Sequence, residues 1–293
     1  MSSILVIGES GSGKSTALRN LDPASTFIIN ALNKSLPFKG GNKKFKQNIV
    51  AIDNAIKIAA KIEEINLKRK EIKVIVIDDF QATMTNEYMR GAFEKGYDKF
   101  TRIGKGIWDI VNAANNTRYD LKVILLAHSD IDDNGKIRCK TVGKLVNEKI
   151  SLEGMCTIVL HSKVLDGNYI FITQNDGVSI AKSPMGMFDS NIIPNDFQQI
   201  INKIDQYYDG EDVPEPLNDT IKQEYLDKIN IISSIDELNS LYKEVKKLFC
   251  GHDDFIELIV EKCSNRKDVL QNDTQGDQRG LGQEPQSYGE KHG

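Results

Sequence analysis

With 293 residues, 40% of them apolar, and a net charge of −4, the chain can hold one domain of about 200 residues plus an appendage. The acidic balance excludes a uniformly basic nucleic-acid coat but not a local basic path, and no apolar run approaches the ~20 residues that span a bilayer. The four cysteines, Cys139, Cys156, Cys250 and Cys263, show neither C-x-x-C pairing nor zinc-like histidine spacing, and read as reduced thiols of a cytoplasmic protein.

The first predicted strand, Ile4–Ile7, runs into Gly8-Glu9-Ser10-Gly11-Ser12-Gly13-Lys14-Ser15, and Thr16-Ala17-Leu18-Arg19 then reads as the first turn of a helix. Strand, G-x-x-x-x-G-K-S and helix in that order form a phosphate-binding loop in its proper context. Small residues let the backbone wrap an anion, successive N–H groups point inward, and Lys14 adds a cation. Residues Gly8 to Thr16 are therefore expected to bind ATP, and the Ser15 hydroxyl is placed for the Mg²⁺ that accompanies it. A cleavable leader would remove a loop that begins at Gly8, so export is not expected.

Further strands are predicted at Phe27–Asn30, Val74–Ile77, Val123–Ala127, Thr157–Leu160 and Tyr169–Thr173, with an edge strand at Val178–Ala181. The first four strands are nearly continuous apolar runs, as strands buried on both faces require. Helical spacing is found over Asp53–Leu67, Thr83–Lys95, Arg102–Asn115 and Asp196–Tyr208. The alternation predicts an α/β fold, a mostly parallel sheet flanked by helices, over residues 1–208. An acidic, proline-containing linker is expected at 209–219, then a helical appendage at 220–267 (Thr220–Ile231, Ile235–Phe249 and Asp253–Cys263). The polar stretch 268–293 is expected to be disordered.

Two strand ends carry chemistry. Ile72-Lys73-Val74-Ile75-Val76-Ile77 ends in Asp78-Asp79, and a nucleotide site needs a carboxylate there to hold the metal's water shell. Asp78 fits that role; Asp79 either polarises the attacking water or caps the next helix. Val123–Ala127 ends in His128, either a sensor of the γ-phosphate, if its strand neighbours the loop strand, or a structural histidine.

These segments resemble a known family. The phosphate loop, Phe27-Ile28-Ile29-Asn30 with Lys34-Ser35-Leu36-Pro37-Phe38-Lys39-Gly40, Ile77-Asp78-Asp79-Phe80 and Ala127-His128-Ser129 are similar to phage-encoded RecA-like P-loop ATPases. That group comprises phage nucleotide-binding AAA-type proteins, the Sak-type single-strand annealing ATPases among them. Lys140-Thr141-Val142-Gly143-Lys144, Tyr169–Gln174, Ala181–Phe188 and Ile193–Phe197 agree with it, so the likeness spans about residues 1–208. It implies a RecA-like core acting in phage DNA recombination or replication, in the cytoplasm of a bacterial host. It further implies single-stranded DNA and a single-stranded DNA-binding protein as partners. In such ATPases a basic residue at Lys182 can reach a neighbouring subunit's γ-phosphate, which implies a homo-oligomer; a surface lysine before a proline turn is the alternative.

Two basic loops suit a single-strand path, which needs charge for phosphates and rings for bases. One carries Lys34, Lys39, Lys43, Lys44 and Lys46 with Phe38 and Phe45; the other carries Lys136, Arg138, Lys140 and Lys144. Each can equally be a solvated surface loop. Competing functions are a small-molecule or nucleotide kinase, disfavoured by sparse arginines, and a non-enzymatic ATP-gated loader or scaffold.

Overall fold

The computed structural model describes residues 3–142, 150–208, 219–249 and 253–279. Lys144, residues 209–218 of the expected linker at 209–219 and the tail beyond Arg279 lie outside the described residues; Asp219, the last residue of that expected linker, already begins a helix. The chain divides into two compact units at about residue 211.

In chain order the first unit contains β1 (Ile4–Gly8), a 3-10 helix (Ser15–Asn20), β2 (Thr26–Asn30), α1 (Gly41–Lys44), β3 (Ile49–Val50), α2 (Ala55–Lys68) and β4 (Val74–Asp78). Next come α3 (Ala82–Arg90), α4 (Asp98–Asn115), β5 (Lys122–Ile131), β6 (Ile137–Cys139) and α5 (Leu152–Met155). The unit closes with β7 (Ile158–Leu165), β8 (Asn168–Ile172), β9 (Ile192–Pro194) and α6 (Phe197–Tyr208). The strand order is β3-β2-β4-β5-β1-β7-β8-β9, with β6 pairing β5. The six strands from β3 to β7 run parallel; β8, β9 and β6 are antiparallel to their neighbours.

The apolar runs split by residue parity into two cores, one on each face. Leu5, Ile7, Ile29, Ile75, Ile77, Val123 and Leu125 pack with Ile58, Ile62 and Ile65 of α2 and Ile103, Ile107 and Ile110 of α4. Ile4, Val6, Ile28, Val74, Val76, Ile124 and Leu126 pack on the opposite face with Ala17, Leu18, Phe197, Ile200 and Ile204. Successive strand residues point to opposite faces, so a strand covered on both sides has no polar positions to spare.

Several elements differ from the sequence expectation. The helix after the phosphate loop is a six-residue 3-10 turn that ends at Asn20, with Leu21 already extended at ψ 142, and Pro23 keeps it from resuming. Helix α3 stops at Arg90, where the Gly91 amide bonds back to the Glu87 carbonyl at 3.1 Å. The segment Val178–Ala181 forms no strand. The Asp176 carboxylate takes the amides of Val178 and Ser179 at 3.0 and 2.6 Å, leaving only isolated bridges from Ser179 to Ile137 and from Lys182 to Val159. Strands β3, β6 and β9 are two or three residues long, too short for alternation to reveal.

The second unit is α7 (Asp219–Ile231), α8 (Ile235–Leu248) and α9 (Asp253–Arg279). Its core gathers Tyr225, Ile229, Leu238, Val245, Phe249, Phe255 and Ile259, and the Phe249 ring meets Tyr225 and Phe255 edge-on at 5.2 and 5.4 Å. Helix α9 continues to Arg279, past Asp268 where composition alone begins a structureless tail. Extending a nucleated helix gains one hydrogen bond per residue fixed and needs no apolar side chain.

Phe171 is fully buried and stacks on Phe197 at 5.3 Å between centroids. Phe171→Ala is expected to destabilise the first unit by about 3–5 kcal/mol, read as a lower urea midpoint. A midpoint equal to wild type would mean that this ring pair is not part of the core.

Candidate nucleotide site

Outside the carboxyl ends of β1, β4 and β5 lies the crevice where open parallel sheets bind ligands. Gly8 ends β1 level with His128 of β5. A Cβ on Gly8 would stand 2.5 Å from the Ser162 carbonyl oxygen and 2.6 Å from the Ser12 hydroxyl, so the loop can leave the sheet here only with glycine. The Ser162 hydroxyl donates to the Ser12 carbonyl at 2.7 Å, pinning the loop to β7. Gly13 has φ +96, and a Cβ there would lie 2.7 Å from the Tyr169 ring.

Lys14 is 8% exposed, and its ammonium donates to the carbonyls of Gly8 and Glu9, each at 2.8 Å. Burial pushes it from 10.5 down to about 8, against the pull of Asp79, Asp78 and Glu9. A phosphate entering the loop would replace these carbonyls as its partner.

Across the crevice, the Ser15 hydroxyl donates to Asp78 Oδ1 at 2.7 Å. Asp78 ends β4 level with Asn30 of β2. Burial pushes its carboxyl up, the neighbouring Asp79 adds to this, and the Ser15 hydrogen bond opposes it. Among the described residues no cluster of three or more His, Cys, Asp or Glu forms a cage. One hydroxyl and one carboxylate fit Mg²⁺, which keeps its waters and takes most other ligands from the phosphates.

Asp79 has a left-handed backbone, φ +55. It does not cap α3 with its side chain: the Ala82 amide bonds to the Asp79 backbone carbonyl at 2.8 Å. The carboxylate instead lies 3.1 Å from Lys34 Nζ and 3.8 Å from His128 Nε2. Burial first, then the Lys14 charge, holds the His128 imidazole below its usual pKa, so it is neutral near pH 7. His128, Gln81, Ser129 and Lys140 line a cavity of about 480 Å³ that Glu9 and Ser10 close from the loop side. On the β7 side of the loop, His161 and Lys163 line a smaller cavity of about 260 Å³.

The fold thus gathers the loop, Asp78, Asp79 and His128, but not Lys182. The Lys182 backbone pairs with Val159, which lies level with Leu5, about three residues or ~10 Å below the loop. The first basic loop does not offer its rings: Phe45 is 1% exposed and Phe38 packs edge-on against it at 6.5 Å. Lys44 in that loop is spent on the Arg19 carbonyl at 2.7 Å. In the second loop Arg138 is paired with Asp132 at 2.6 Å.

Sequence reasoning missed Lys34 as a neighbour of Asp79, and Gln81, whose Oε1 accepts the His128 amide at 3.2 Å. It also missed Tyr169 against Gly13. Only the closeness of Gln81 to the acid pair was visible along the chain; the other two contacts arise from strand order.

A family model described as an AAA domain, AAA_24, matches residues 2–185, more than half of the chain. The chain belongs to this AAA-domain family. A search of curated proteins finds no match. Membership in the AAA family agrees with the loop geometry and points to ATP binding and ATPase activity at this site. No helix among the described residues is long and apolar enough to cross a membrane.

Because Lys14 titrates near 8 when facing carbonyls, a bound phosphate, which favours the ammonium, should raise that value again. Nucleotide binding is therefore expected to take up a proton at pH above about 8, and affinity to fall as pH rises further. Calorimetry in buffers of differing ionisation enthalpy measures the uptake. No uptake at high pH would show that the ammonium is already fully charged in the free protein.

Proposed function

We propose that the chain is a RecA-like, Mg²⁺-dependent ATPase that acts on single-stranded DNA in phage recombination or replication. The observation that carries the hydrolytic part is the hydrogen bond joining Ser15 to Asp78, with Asp79 beside it. Loop hydroxyl and strand-end carboxylate already share one spot, where the two would hold Mg²⁺ against the phosphates. The metal supplies charge neutralisation at the phosphates when bound. Lys14 binds the phosphate oxygens, Asp79 orients the attacking water, and neutral His128 reports the γ-phosphate through a hydrogen bond.

What supports a single strand as partner is chemistry at the same end of the sheet. Between α3 and α4, Phe93 is fully exposed and Tyr97 is 84% exposed, with Lys95 between them. Lys140 lines the His128 cavity on the other side. Exposed rings with cations suit bases and phosphates without reading sequence. A single-stranded DNA-binding protein and a homo-oligomer with Lys182 acting on a neighbour's phosphates complete the reading. Lys182 lies away from its own loop, as a residue acting in trans would.

ATP turnover measured with and without single-stranded DNA tests this. DNA-stimulated hydrolysis is expected; phosphate transfer to a small acceptor would make the protein a kinase, and tight binding without turnover a switch. Asp78→Asn is expected to lower kcat by on the order of a hundredfold or more while nucleotide affinity changes little. Wild-type hydrolysis by that variant would assign the metal to another acid.

A further inference from the structure

The loop after β2 delivers a lysine to the acid side of the site, and the end of β2 holds it there. The Asn30 side chain clamps both backbone polar groups of Lys34: its Nδ2 donates to the Lys34 carbonyl at 2.6 Å, and its Oδ1 accepts the Lys34 amide at 3.2 Å. The turn between them passes through Asn33 at φ +53. Asn30 is 4% exposed and pairs with Asp78 in the sheet, so this clamp is fixed to the strand that carries the acid pair. From that base Lys34 Nζ reaches Asp79 Oδ2 at 3.1 Å.

Stability does not explain the arrangement. The Lys34 side chain is 62% exposed, and pairs so open to solvent add little to stability. Asp79 meanwhile keeps a left-handed backbone, which is strained for a residue other than glycine. The net result is an acid oriented from two sides, by Lys34 at one carboxylate oxygen and His128 near the other.

We infer that Lys34 is a positioning residue, aiming the Asp79 carboxylate at the water that attacks ATP, and so sets the rate of hydrolysis rather than nucleotide affinity. This rests on the hydrolytic reading above. In that step the water oxygen bonds to the γ-phosphorus and the bond from phosphorus to the ADP oxygen breaks. The water's surplus proton leaves by way of Asp79 to solvent, giving ADP, inorganic phosphate and one proton. Asn30 acts one step further back, by holding the lysine's backbone.

Steady-state turnover, nucleotide binding and thermal melting of Lys34→Gln, Lys34→Arg and Asn30→Ala test the inference. Lys34→Gln is expected to lose about tenfold to a hundredfold in kcat, as misplaced reacting groups do, with nucleotide affinity and melting unchanged. Lys34→Arg is expected to recover most of that loss, and Asn30→Ala to lower kcat in the same direction. Full kcat in Lys34→Gln overturns the inference, as does a defect seen only with single-stranded DNA present, which would make Lys34 a strand contact. Absence of turnover in the wild-type protein overturns the hydrolytic reading and this one together; normal wild-type turnover retained by Lys34→Gln overturns this one alone.

Discussion

The site depends on one hydrogen bond of 2.7 Å, from Ser15 to Asp78. It spans the sheet from the end of the phosphate loop to the end of β4, with β5 lying between their strands. Both partners are short side chains, so the bond exists only if the phosphate loop carries Ser15 back to the height at which β4 ends. The parallel register sets that height: Ile77 lies level with Leu125, and so with Leu5, which ends β4 about two residues short of Gly8, and the Phe80 amide bonds to the Leu126 carbonyl. A slip of one residue in either strand would turn the apolar set to the wrong face and separate loop from acid. The two cores that fix the register therefore also fix the site.

Charge is balanced within that crevice before any ligand arrives. Lys14 and Lys34 stand against Asp78 and Asp79, and His128 is neutral. Buried charges persist only when paired and hydrogen-bonded, and Lys14 meets this with two carbonyls while Asp78 meets it with a hydroxyl. A triphosphate would upset the balance, and a divalent cation entering with it would restore part of the compensation.

Much of this was legible along the chain. The phosphate loop is a contiguous motif, and the strands bearing Asp78 and His128 are apolar runs whose length and ends can be read directly. That β5 neighbours β1, which brings His128 to the loop, was a condition the sequence left open; pairing of Gly8 with His128 meets it. Lys34 was different. Its side chain read as one of several surface cations, because nothing local shows that Asn30 folds the loop back toward Asp79. Phe38 and Phe45 were misread for a related reason: a ring in a lysine-rich segment gives no sign of which way it faces until α1 and the core behind it are placed. The early stop of the 3-10 helix could have been anticipated from Pro23, and the length of α9 could not, since its last turns follow from propagation rather than from an apolar stripe.

That 3-10 helix has a consequence for how the loop holds an anion. Six residues at ~2 Å rise put its negative end about 12 Å from its positive end, so a phosphate at the near end feels mainly the positive pole, and the far pole subtracts only a fraction. Arg19 donates to the Thr16 carbonyl and Lys44 to the Arg19 carbonyl, which quiets the far end further. Lys14 adds a point charge shielded from water. Buried charges are screened little by dissolved ions, so ionic strength has a weak hold on the share of the phosphate grip that Lys14 supplies.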